Sequence, residues 1–133
     1  MSIVIVTHGH TGQSLVSDAE FILGQSLRGI RCIAFKQSGN QLAGDDELNQ
    51  VITESDRGEG LLVLTDLIGS SPANRITGLL EGYHAAMVTG INLAMLIRVW
   101  NYRDTPLESL TRKAVQGGRR GVEAFHPPIS PTY

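Results

Sequence analysis

The sequence predicts one α/β domain: a doubly wound, mainly parallel sheet of four strands, helices on both faces, and one more short strand near the C-terminus. Three observations predict it. Four short blocks rich in Ile, Val, Leu and Ala have the length of strands and show little polar alternation, as expected for strands buried on both sides. Between successive blocks, apolar residues recur at helical spacing. Polar or glycine-bearing turns follow the blocks, so strand and helix signals alternate as in a parallel sheet built from crossovers.

Ile3-Val4-Ile5-Val6 is the first strand, broken by the polar run Thr7-His8-Gly9-His10-Thr11-Gly12. Leu15, Val16, Ala19, Ile22 and Leu23 then form one face of a helix. Residues 30–35 read as the second strand, and residues 36–44 read as loop, with Gly39-Asn40 as a turn signal. Asp45 or Asp46 can cap a helix carrying Leu48, Val51 and Ile52, which ends at Arg57-Gly58-Glu59-Gly60. Leu61-Leu62-Val63-Leu64-Thr65 is the third strand, and residues 66–71 form a polar turn. Pro72 suits the first position of the following helix, whose apolar face is Ile76, Leu79 and Leu80.

Residues 85–89 make the fourth strand, closed by Gly90. Asn92 can cap a helix through Leu93, Leu96, Val99 and Trp100, residues at core spacing. Pro106 opens a last helix with Leu107, Leu110 and Ala114, and Gly117-Gly118 is expected to break it. Residues 122–125 read as one more strand, and Pro127, Pro128 and Pro131 mark a frayed tail. The expected organisation is a domain over residues 1–126 and a tail over 127–133.

A chain of 133 residues is long enough to bury a core as one domain. Its 41% hydrophobic and 18% charged residues fit a folded protein rather than a disordered one. The net charge of −2 offers no basic excess for nucleic acid or an anionic membrane. No apolar run approaches the roughly 20 residues of a membrane span, and the N-terminus lacks a signal-peptide pattern. The lone Cys32 excludes an intrachain disulfide, reads as a buried small residue and suits a reducing cytoplasm.

Chemistry concentrates in three turns, residues 7–12, 66–71 and 90–92, which all follow strands and so open on one edge of a parallel sheet. His8 can act as nucleophile or base, and Asp66 can hold one imidazole nitrogen protonated while the other stays free. Helix-start N–H groups favour anions. Thr7, Gly9, Ser70 and Ser71 are accordingly candidate phosphate-binding residues, whereas a strand-end aspartate or a serine before proline can also be simple turn and cap chemistry. His10 could join His8 on a metal, but two histidines at i and i+2 need a third ligand, and no metal or other cofactor is expected. His84 and His126 read as surface residues, and Arg119-Arg120 as a solvated helix end.

Three ordered segments resemble the IIA component of the mannose family of the bacterial phosphoenolpyruvate:sugar phosphotransferase system. They are Ile5-Val6-Thr7-His8-Gly9, the stretch from Leu64-Thr65-Asp66 to Ser71-Pro72-Ala73-Asn74, and Val88-Thr89-Gly90-Ile91-Asn92-Leu93-Ala94-Met95-Leu96, with Gly117 to Val122 resembling a closing Gly-Arg-x-Gly-Val stretch. The resemblance implies that His8 takes a phosphoryl group from the phosphocarrier HPr and passes it to a IIB protein, with Asp66 orienting the ring. It implies a cytoplasmic homodimer that exchanges an antiparallel C-terminal strand, assigned to residues 122–125, and that meets the membrane only through transporter components. The chain departs from the family at Ser70, where a second glycine is usual, and at Ala94, where proline is common. It carries no fused IIB domain, so the acceptor is expected on a separate chain.

Three other functions fit parts of the pattern. A regulatory phosphoprotein would use the same His8 and be read through partner binding. A chelatase-like domain would place strand-end histidines on a metal. A histidine phosphatase needs an arginine where Thr7 stands.

Overall fold

Strand β1 (Ser2–His8) is the middle strand of the sheet, paired with β2 on one side and β4 on the other. The computed structural model describes residues 1–38, 41–43, 45–55, 58–66 and 71–129. Along the chain, β1 is followed by α1 (Thr11–Leu23), β2 (Arg31–Ser38), β3 (Gln41–Ala43), α2 (Asp45–Ser55) and β4 (Leu61–Thr65). Then come α3 (Ser71–Leu80), β5 (Ala85–Val88), α4 (Leu93–Asn101) and α5 (Leu107–Arg120). The sheet order is β3-β2-β1-β4-β5, with β1, β2, β4 and β5 parallel and β3 antiparallel to β2. This is the four-stranded parallel, doubly wound sheet that the alternation predicts.

The alternation of side chains along β1 separates two cores. Ile3 and Ile5 pack with Leu62, Leu64 and Val88 under α1, α4 and α5. Val4 and Val6 pack with Ile33, Phe35 and Val63 under α2 and α3. Cys32 is half-buried against the first core, and burial pushes its thiol above the ordinary range.

The structure corrects four boundaries. β1 runs through His8 and α1 starts at Thr11, so the polar turn is two residues, not six. Within the segment read as loop, Gln41–Ala43 forms the antiparallel edge strand, with Ser38 opposite Gln41 and Lys36 opposite Ala43. Within one chain the antiparallel strand of the sheet is β3, and residues 122–125 add no strand to it. That segment follows the last helix with no strand assignment, and Val122 and Phe125 are 76% and 85% exposed.

The fourth correction is that α5 runs on through Gly117-Gly118 to Arg120. Each glycine costs about 1 kcal/mol of helix propensity, and close packing against α4 offsets it. A Cβ at Gly117 would lie 2.7 Å from Arg98 Cβ, and one at Gly118 2.6 Å from Met95 Cε. Gly117→Val is expected to destabilise the protein by about 1–3 kcal/mol through overpacking, read as a lower urea midpoint.

Candidate functional site

The strand order reverses at β1: its successor β2 lies on one side and β4 on the other. The crevice beyond the carboxyl ends of β1 and β4 is thus the topological switch point, where open α/β sheets bind ligands. His8 is the last residue of β1, and Asp66 is the first after β4. Alternation along β1 puts His8 on the face of Val4 and Val6, which α2 and α3 cover, and Thr7 on the opposite face.

The two site residues are locked together. The His8 backbone N–H donates to Asp66 Oδ2 at 3.0 Å. His8 Nδ1 lies 3.0 Å from the same oxygen and 3.2 Å from Oδ1. An ionised carboxylate only accepts, so Nδ1 carries the proton and Nε2 is the nitrogen left with a free lone pair. The His8 side chain is 49% exposed and that of Asp66 21%, so the ring is open to a docking macromolecule while its anchor is mostly covered.

Burial tends to raise the Asp66 carboxyl, but the His8 backbone N–H and imidazole together outweigh it and hold it below the usual carboxylate range. A lowered carboxyl pKa means that the pair contributes stability above the ordinary value of about 3.9 and loses it as pH falls through the lowered one.

Thr7 and Gly12 fix the turn that carries His8. Thr7 is 2% exposed, and its Oγ1 accepts the Gly12 backbone N–H at 2.8 Å, satisfying one orphan donor of the α1 N-terminus. A Cβ at Gly12 would lie 2.9 Å from Ile5 Cγ2, so only glycine fits there. Gly9 has φ +53°, the left-handed turn that swings the chain from β1 into α1. Thr7 therefore has its hydroxyl oxygen engaged beneath α1, on the sheet face away from the imidazole. Thr7→Val should leave the Gly12 N–H buried and unpaired and cost about 1–3 kcal/mol in denaturant melts, whereas Thr7→Ser should restore most of it.

The third motif segment is tied to the second. Ile91 N–H donates to the Thr65 carbonyl at 2.8 Å, immediately before Asp66. Asn92 caps α4 by accepting from Met95 N–H, and its Nδ2 donates to the Gly118 carbonyl, so the Gly117-Gly118 stretch anchors this loop. The sequence marked Asn92 as a cap; its second bond to α5 and the need for Gly12 carried no signal there.

Ser71 opens α3, its side chain lying outside the described part, and Ser70 lies outside the described residues. His10 occupies the N-cap position of α1 and pairs with Gln13. Among the described residues no three His, Cys, Asp or Glu side chains gather as a metal site. His84 pairs with Glu108 at 3.2 Å at the opposite end of the strands from His8, and His126 is exposed in the final segment.

The model of the EIIA-man family, described as PTS system fructose IIA component, matches residues 2–115. The chain belongs to the EIIA-man family.

The PTS system mannose-specific EIIAB component of Escherichia coli strain K12 is 31% identical over 128 residues, covering 94% of this chain. This EIIA-man chain spans 39% of that relative's length. The mannose/sorbose specific IIA subunit from Enterococcus faecalis shares the fold with a TM-score of 0.82 at 22% identity, covering 98% of both chains. The phosphotransferase system component EIIA from Streptococcus agalactiae does so with a TM-score of 0.74 at 24% identity, covering 92% of this chain and 95% of its own. The three motif segments of the EIIA-man chain thus begin at the ends of β1, β4 and β5.

Proposed function

We propose that this chain is a phosphoryl relay in sugar uptake, accepting a phosphoryl group from phospho-HPr on His8 and handing it to a IIB partner. The observation that carries the reading is the His8–Asp66 pair, with Nδ1 tied and Nε2 free. The Nε2 lone pair attacks phosphorus as the bond to the donor's imidazole breaks, and the donor ring keeps the departing electron pair. Asp66 stabilises the imidazolium charge that develops on His8. The starts of α1 and α3, which follow β1 and β4, supply N–H groups for the equatorial oxygens, and Gly9, Ser70 and Ser71 are the further phosphate ligands the sequence offers. Transfer to IIB is the same step reversed with a new acceptor.

Incubation with phosphoenolpyruvate, enzyme I and HPr should give one acid-labile phosphoryl group per chain, counted by intact mass. Absence of uptake with active HPr would overturn the relay reading. The place of work is the cytoplasm, where these donors operate.

We also infer a homodimer formed by exchange of residues 122–125. β5 is one of the two edge strands of the sheet, and beside it lies a groove of about 470 Å³ lined by Met87, Met95 and Val115. Val122 lines that groove, both Val122 and Phe125 are exposed in one chain, and an unpaired edge strand favours pairing. Light scattering should report a dimer for the full chain and a monomer for a chain ending at Gly121.

A further inference from the structure

One glycine of α3 has no explanation within its own chain. The other helix glycines, Gly12, Gly117 and Gly118, each have a side-chain atom within 2.9 Å of where a Cβ would stand. At Gly78, in the last turn of α3, a Cβ would meet nothing within 4 Å among the described residues. Glycine there weakens the helix and relieves no contact. Its bare backbone instead lines a groove of about 480 Å³ between α3 and β5, together with Leu80, Ala85 and Met87 and the exposed Thr77 and Glu81.

This groove lies on the opposite side of β5 from the one lined by Met95 and Val115. Ala85 and Met87 pack with the core under α2 and α3, whereas Ala86 and Val88 pack with the core under α4 and α5. The unpaired edge of β5 is thus flanked by a hollow on each face. Strand alternation lets one segment serve both. Extended along β5, residues 122–125 turn Val122 and Ala124 to one face and Glu123 and Phe125 to the other. Val122 lines the α5-side groove in one chain. A second copy's segment that keeps Val122 on that side leaves Phe125, 85% exposed in one chain, for the α3 side. We propose that Phe125 of a second copy seats in the α3–β5 groove, against the backbone that Gly78 leaves bare. The proposal rests on the strand exchange inferred above and adds the contact that sets its register. Ladder bonds along an edge tolerate a slip, but a one-residue slip turns Phe125 out of the groove.

The test is sedimentation equilibrium of the full chain, which should be a dimer. Gly78→Leu and Phe125→Ala should each raise the dimer dissociation constant at least about tenfold. Gly78→Leu/Phe125→Ala should be no weaker than Gly78→Leu alone, because both changes remove the same contact. The urea midpoint of Gly78→Leu, measured at a concentration where it is monomeric, should not fall, since leucine favours a helix over glycine. A parent chain that stays monomeric would overturn the strand exchange and this seat with it. A dimeric parent with undiminished dimerisation of either single variant would overturn the seat alone. So would a double variant whose loss is the sum of the two.

Discussion

His8→Ala is expected to take up no phosphoryl group from phospho-HPr and to keep the fold. The imidazole is held at the carboxyl end of β1 by the carboxylate that follows β4, and alanine offers no lone pair for phosphorus. Removing the ring deletes its bond to Asp66 but leaves the backbone N–H on that carboxylate, so a loss of about 1 kcal/mol is expected. Loss of uptake with a native circular dichroism spectrum therefore separates chemistry from folding. His10→Ala serves as the control: His10 pairs with Gln13 and not with Asp66, so uptake should persist.

Asp66→Asn should be nearly as damaging, lowering the transfer rate by about 10²–10⁴-fold. An amide can accept from the His8 backbone N–H through its oxygen, yet it lacks the charge that favours the developing imidazolium. It can also turn its NH₂ toward Nδ1, which would move the ring proton to Nε2 and block attack. The pH behaviour should change as well. In the parent chain the lowered Asp66 pKa keeps the carboxylate ionised well into the acid range, and its stabilisation disappears only as pH falls through that lowered value. Asp66→Asn should lack that acid-side loss, as measured by urea midpoints across the acid range.

The central strands were legible in the sequence because burial on both faces writes an uninterrupted apolar block, as in Val4, Val6, Leu62 and Leu64. The pairing of His8 with Asp66 was legible for a related reason: parallel strands bring the residues after their carboxyl ends to one edge. Local pattern failed where tertiary contact decides. Gln41–Ala43 is too short and mixed to announce a strand, although a two-residue Gly-Asn signal preceded it. Gly117 and Gly118 look like helix breakers until Arg98 and Met95 are packed against them. A hydroxyl beside a strand-end histidine reads as a phosphate ligand, and only the fold reveals that Thr7 Oγ1 accepts from Gly12.

The account turns on which atom receives phosphorus. The protein, labelled with ¹⁵N and phosphorylated through HPr, should give long-range proton–nitrogen NMR spectra with the phosphoryl group on Nε2 of His8 and the proton on Nδ1. A phosphoryl group on Nδ1, or on His10 with His8 unmodified, would contradict it.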